Sequence, residues 1–305
     1  MSRISSLLKK KLMMRLIDCK VLNKKRIKIK DRGVLFTDIA KSNLLREIAF
    51  GGYKAFEGEV VTLVEKYPWH IDRFIDTGAN IGFYSILASI TFEGSVEIIA
   101  VEPFPANVEY IKKIKKINNL DFKLIGKALD RAGGKEVTMY YPTARNSSKF
   151  SSSASLINSF KGTGGIYNNL PYKTMTVETI TLEDVVGGDS SNTLIKLDCE
   201  GSESDILEAS PSVLKRRNID FIMEITLNDK EKGKIYNLMR RYGYDAYLIT
   251  NAGFVREDRP LTLPYLDESN RYRNYTGTLW KSHFFTKRRP AEIEKASLTL
   301  YGFYI

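Results

Sequence analysis

At 305 residues, 43% hydrophobic and 27% charged, the chain has an ordinary globular composition and enough length for a sizeable core. No apolar run approaches the roughly 18 residues of a membrane-spanning helix, which argues against an integral helical membrane protein. Two cysteines (Cys19, Cys199) and two histidines (His70, His283), all far apart, exclude a disulfide framework and argue against a zinc site.

The net charge of +11 is not spread evenly. Residues 1–32 hold twelve Lys or Arg against Asp18 and Asp31, whereas the other 273 residues hold 35 basic and 34 acidic side chains. The body is therefore neutral, and residues 1–32 read as a basic N-terminal arm. Ile4, Leu8, Leu12 and Leu16 form a helical stripe in it, interrupted by Lys11 and Arg15. Such a segment suits a solvated helix, an anionic membrane surface, an acidic partner or a transit segment. With no secretory pattern, the expected location is the cytoplasm, with peripheral membrane contact through the arm.

Residues 33–73 read as a short helical embellishment around Gly51-Gly52. From residue 74 to 305 the rhythm is strand, turn, helix. Strands are expected at Arg73–Asp76, Val96–Glu102 and Phe122–Leu129, with a helix over residues 105–117. An antiparallel ribbon is expected at Lys135–Tyr141, then a long mobile loop rich in Ser, Asn and Gly at 143–170. Strands at Thr176–Ile180, Leu194–Asp198, Ile219–Ile225, Tyr244–Thr250 and Thr278–Phe285 follow, with helices after Leu182, after Gly201 and over 229–241. This alternation predicts an α/β sheet with helices on both faces, ending in an antiparallel strand. Sheets of this kind bind ligands at the carboxyl ends of their strands.

Phe74-Ile75-Asp76-Thr77-Gly78-Ala79-Asn80-Ile81-Gly82 runs a strand into a glycine turn and a helix, and Glu102 ends the next strand twenty residues on. A carboxylate there suits the two hydroxyls of a ribose. Asn80 replaces the middle glycine of the dinucleotide fingerprint, and Asp76 would repel a pyrophosphate. Both changes fit S-adenosylmethionine, which carries an ammonium, a sulfonium and a ribose but no phosphate. The second signal is Leu194-Ile195-Lys196-Leu197-Asp198-Cys199-Glu200-Gly201. It delivers Asp198 and Glu200 to the carboxyl edge, and Glu224 ends the strand Phe221–Glu224. These carboxylates can orient a hydroxyl, take its proton or, as an Asp198–Glu224 pair, hold Mg²⁺.

These motifs, with Glu102-Pro103 and Thr179-Ile180-Thr181-Leu182-Glu183-Asp184, resemble the FkbM family of S-adenosylmethionine-dependent O-methyltransferases over roughly residues 53–226. The resemblance implies a class I methyltransferase (Rossmann-like) fold, a seven-stranded sheet with one antiparallel strand. It also implies methyl transfer to a hydroxyl of a sugar, glycan or glycolipid precursor. Carried onto this sequence, it puts Asp76, Gly78, Asn80 and Gly82 at the methionine side of the cofactor, Glu102 at the ribose, and Asp130, with Ala128 and Leu129, beside the adenine. Asp198 and Glu200 would face the reacting centre, and Glu57, in Phe56-Glu57-Gly58, would join the cofactor pocket.

Two other functions compete: an RNA methyltransferase, suggested by the overall basicity that the arm accounts for, and a non-catalytic S-adenosylmethionine-binding protein. Asn169-Leu170-Pro171-Tyr172 looks like a catalytic motif but lacks the strand that such a motif needs. Cys199 has no base beside it in sequence and reads as buried filler. The cations and aromatics of Arg271–Tyr275 suit an acceptor site or an ordinary exposed loop equally well.

Overall fold

The computed structural model describes residues 23–143, 154–157, 171–226, 230–250, 253–257 and 280–301. Arg271–Tyr275, Asn169-Leu170, the helical stripe of the arm and most of the 143–170 loop lie outside them.

Strands β1 (Lys24–Ile29) and β2 (Arg32–Thr37) form an antiparallel hairpin. Lys24, Arg26 and Lys28 point outward, while Ile27, Ile29, Val34 and Phe36 are buried. This corrects the expected boundaries: the arm ends before residue 24, and the stretch after it starts as sheet. The cause is a period-2 alternation of cations and isoleucines, masked in the sequence by its charge. Ile39–Lys41 make one 3₁₀ turn, and helices α1 (Asn43–Gly51) and α2 (Gly58–Glu65) follow.

The main domain then runs β3 (Arg73–Thr77), α3 (Phe83–Phe92), β4 (Glu97–Val101), α4 (Pro105–Asn118), β5 (Lys123–Ile125), β6 (Ala128–Leu129) and β7 (Glu136–Pro142). It continues with β8 (Tyr172–Ile180), α5 (Leu182–Val186), β9 (Thr193–Leu197), α6 (Glu203–Glu208), α7 (Pro211–Lys215) and β10 (Ile219–Thr226). The last elements are α8 (Lys230–Arg241), β11 (Asp245–Thr250), β12 (Gly253–Arg256), β13 (Trp280–Thr286) and α9 (Pro290–Tyr301).

One sheet has the order β12-β11-β13-β10-β9-β3-β4-β5. β3, β4, β5, β9 and β10 are mutually parallel, and β13 inserts antiparallel between β10 and β11. The class I methyltransferase arrangement is therefore present, with an eighth strand: β12 pairs antiparallel with the edge of β11. At four residues, β12 is too short to read from periodicity. The expected third strand also divides. β5 stays in the main sheet, while β6, beyond Gly126-Lys127, pairs with β8 in a small sheet of order β6-β8-β7.

The central strands are buried on both faces, as parallel strands covered by helices must be. Along β3, Phe74 joins the core with α3 and α4, and Ile75 joins the opposite core with Leu197, Leu207 and Tyr236. The chain leaves β3 toward β4 on one side and returns to β9 on the other. That reversal opens a crevice at the carboxyl ends of β3 and β9.

Candidate active site

The turn after β3 is built on three left-handed residues: Gly78 (φ 67°), Asn80 (φ 53°) and Gly82 (φ 77°). Position 78 admits no side chain, because a Cβ there would lie 1.7 Å from the Asp198 carbonyl oxygen. The strand ends of β3 and β9 thus touch backbone to backbone. Asp76 is 1% exposed, and its Oδ2 accepts hydrogen bonds from the Ser85 N–H (2.9 Å) and Oγ–H (2.6 Å). Its carboxylate ties β3 to the first turn of α3.

Glu102 holds the same turn from the other side. Its Oε2 accepts from the Asn80 N–H at 2.6 Å, and its Oε1 from the Phe104 N–H at 2.8 Å and the Asn107 amide at 3.2 Å. Burial outweighs these bonds and pushes its carboxyl up to about 8.

The end of β9 carries a second tight turn. Glu200 has φ 54°, and Gly201 φ 102°. Glu203, on α6, braces the turn: Oε1 accepts from the Cys199 N–H at 2.6 Å and Oε2 from the Gly201 N–H at 3.0 Å. Burial, then the nearby Asp198 charge, push the Glu203 carboxyl up to about 7. Ser155 reaches over from the segment beyond β7, its Oγ–H donating to the Glu200 carbonyl at 2.8 Å.

Beneath this turn lies Lys196, whose side chain is 7% exposed. It sits opposite Asp76 in the β3–β9 register. Its Nζ is 2.7 Å from Asp198 Oδ2 and 4.9 Å from the centre of the Tyr84 ring. The Tyr84 hydroxyl in turn donates to Glu57, a left-handed residue (φ 43°) at the start of α2. The Asp198, Glu57 and Asp76 charges overcome the burial of the lysine and raise its pKa, so it is a fixed cation.

Glu57, Gly78, Asn80, Glu102, Asp198, Glu200 and Glu224 all line one pocket, which spans about 810 Å³ with its mouth included. Phe56, Val101, Ala128, Leu129, Met139 and Leu156 supply its apolar wall. Among the described residues no Lys or Arg lines it. Burial raises the carboxyls of Glu57, Glu200 and Glu224, and for Glu200 and Glu224 the Asp198 charge adds to the effect.

Three expected cofactor residues stand off the wall. Asp76 acts on α3, and Gly82 caps α3 against Ile111. Asp130 donates its N–H to the Ile180 carbonyl, leaving its neighbours Ala128 and Leu129 on the wall. The expected Asp198–Glu224 cation site also fails to fit. Asp198 already holds the Lys196 ammonium, and among the described residues no three His, Cys, Asp or Glu side chains converge as metal ligands. Mg²⁺ is therefore not supported. Burial pushes the Cys199 thiol up, which removes it as a nucleophile. His70 pairs with Asp72 at the surface, and the fully buried His283 faces Glu257; neither lines the pocket.

Residues 76–246 match the methyltransferase FkbM domain, more than half of the chain. The chain belongs to the FkbM methyltransferase family. The methyl donor of such enzymes is S-adenosylmethionine, and the pocket suits it: Glu102 offers carboxyl oxygens at a strand end for a ribose, and the wall combines apolar side chains with acidic groups and no described Lys or Arg.

The chain is similar to several solved structures at low identity. The precorrin-6y C5,15-methyltransferase of Geobacter metallireducens GS-15 is 14% identical, with 76% of this chain and 88% of that one covered and a TM-score of 0.40. A SAM-dependent methyltransferase from Agrobacterium tumefaciens is 10% identical over 87% of this chain and 71% of that one, with a TM-score of 0.39. M. jannaschii TYW2, solved in complex with AdoMet, is 12% identical over 87% of both chains, with a TM-score of 0.40. No curated protein matches.

Sequence reasoning gave Lys196, Tyr84, Glu203, Ser155 and Asn107 no role. Lys196 carried a usable signal: a lysine inside an apolar parallel strand requires a buried carboxylate partner. Ser155 had no such signal, since its partner is a backbone carbonyl 45 residues away.

Proposed function

We propose that this FkbM-family enzyme is an O-methyltransferase acting on a hydroxyl of a neutral sugar, glycan or glycolipid precursor. The observation that carries this reading is the convergence of Asp198, Glu200 and Glu224 on the pocket formed by the Gly78–Asn80 turn and Glu102, with no cation on the described wall. An uncharged hydroxyl tolerates such a wall. A phosphate beside it is repelled, which disfavours RNA as the acceptor.

When bound, S-adenosylmethionine supplies a methyl group already activated by a sulfonium, so the protein's task is alignment and proton removal. Asn80, Glu102 and the Gly78 turn hold the donor. Asp198, fixed by Lys196, orients the acceptor hydroxyl. Glu200 and Glu224, on the same pocket wall, are the groups that would receive the proton of the acceptor hydroxyl.

The test is methyl transfer from methyl-labelled S-adenosylmethionine to panels of neutral sugars, glycolipids and RNA, with the product linkage read by mass spectrometry. The reading predicts an O-methylated sugar. Label on RNA or on nitrogen contradicts it.

The basic arm is proposed to contact anionic membrane, in line with the outward Lys24, Arg26, Lys28 and Lys30 that continue it. No helix among the described residues is long and apolar enough to cross a membrane. Removing residues 1–22 should reduce co-sedimentation with phosphatidylserine vesicles; unchanged binding contradicts the proposal.

A further inference from the structure

A lysine with its side chain 7% exposed, in the middle of the sheet and under the donor pocket, is costly to bury. The fold surrounds it with four partners. Asp76 lies opposite it on β3, Asp198 lies just past the end of β9, the Tyr84 ring of α3 stands 4.9 Å from its ammonium, and Glu57, the residue before α2, accepts from the Tyr84 hydroxyl. Tethering Asp198 alone needs none of the other three. Lys196 does not line the pocket, so it acts on a ligand only through its charge and through Asp198.

Methyl transfer consumes a positive charge, since the donor is a sulfonium and the product a neutral thioether. The wall against which this happens holds Glu57, Glu102, Asp198, Glu200 and Glu224. Asp198 is the one of them held in an ion pair, by Lys196; unopposed, its charge would hold the charged donor more tightly than the transition state, in which the charge is dispersing, and binding of that kind raises the barrier. Lys196 is the described cation that opposes it.

We propose that Lys196 is a positioning residue that sets the electrostatic balance of the pocket: it holds Asp198 in place, and its charge limits the preference for cationic donor over neutral product. The inference rests on S-adenosylmethionine as the donor and is independent of the acceptor.

The experiment titrates S-adenosylmethionine and S-adenosylhomocysteine into the full-length protein and reads the ratio of the two Kd values, because a purely structural lysine would weaken both ligands alike. In Lys196→Met, donor affinity should rise relative to product by about tenfold, the scale of one unit charge at nearby, partly screened distance. Lys196→Arg keeps the charge and should keep the wild-type ratio. If Lys196→Met does not fold, the double variant Lys196→Met/Asp198→Asn takes its place alongside Asp198→Asn. Asp198→Asn alone should then lower the donor preference, and the double variant should restore it. An unchanged ratio in Lys196→Met, or in Asp198→Asn where the double variant replaces it, overturns the inference. Failure of folded wild type to bind either ligand overturns the donor assignment, and this inference with it.

Discussion

The backbone carbonyl of Asp198 occupies the space that a side chain at position 78 would need, 1.7 Å from the ideal Cβ. The two chemically active strand ends, β3 and β9, are therefore joined through a glycine. Gly78→Ala meets a backbone atom that cannot rotate away, at a φ of 67° that disfavours alanine. The variant should lose several kcal/mol of stability, on the scale of overpacked sites, and its S-adenosylhomocysteine binding. Thermal melts with parallel calorimetry check this. A variant that melts and binds like wild type would show that the strand ends are not in contact.

Glu102 carries three donors on two oxygens, so its loss should free the Asn80 and Phe104 N–H groups at once. Glu102→Ala should cost about 1–3 kcal/mol and weaken product binding at least tenfold. Glu102→Gln, which keeps one acceptor oxygen, should fall between the two. Urea melts and product titrations of the three proteins give the ranking.

Glu203 makes stability depend on pH. Its pKa is about 7 in the fold against 4.5 for the free side chain, so the folded state holds the proton more tightly. Its contribution is fully present below about pH 4.5 and is lost as pH rises to 7. The full change is about 3 kcal/mol on the scale of 1.36 kcal/mol per pKa unit. Between pH 4.5 and 8, wild type should therefore lose about that much more stability than Glu203→Gln, which has no proton to release. Parallel slopes for the two proteins in urea denaturation would contradict the upward shift that burial gives this carboxyl.

The hairpin gives a prediction about boundaries. Deleting residues 1–32 removes β1 and bares the buried Val34 and Phe36, so the melting temperature should fall steeply. Phe36→Ala in the full chain should cost about 3–5 kcal/mol. Circular-dichroism melts that are unchanged by the deletion would mean that the hairpin is not part of the core.

The central sheet was legible because its strands are runs of apolar residues ending in the chemistry-bearing side chains, as at Phe74–Asp76 and Leu194–Asp198. Tertiary pairing was not legible. Nothing local announces that Ala128 and Leu129 leave the sheet for β8, or that the lysine-rich β1 buries Ile27 and Ile29. At the site, strand position brought seven of the ten expected residues to one pocket wall, but it could not say which way a side chain turns. Asp76 faces Ser85 rather than a ligand, and Asp198 is held by a lysine two residues away. Both follow from the face of the strand that the neighbouring helix covers, which only packing decides.

The central claim is that the pocket between β3 and β9 is the methyl-donor site. Calorimetric titration of folded wild-type protein and Glu102→Ala with S-adenosylhomocysteine tests it most directly. Wild type should bind at about micromolar strength, about −8 kcal/mol, and a Glu102→Ala variant that retains its fold should lose that binding. No binding by wild type, or undiminished binding by the variant, would contradict it.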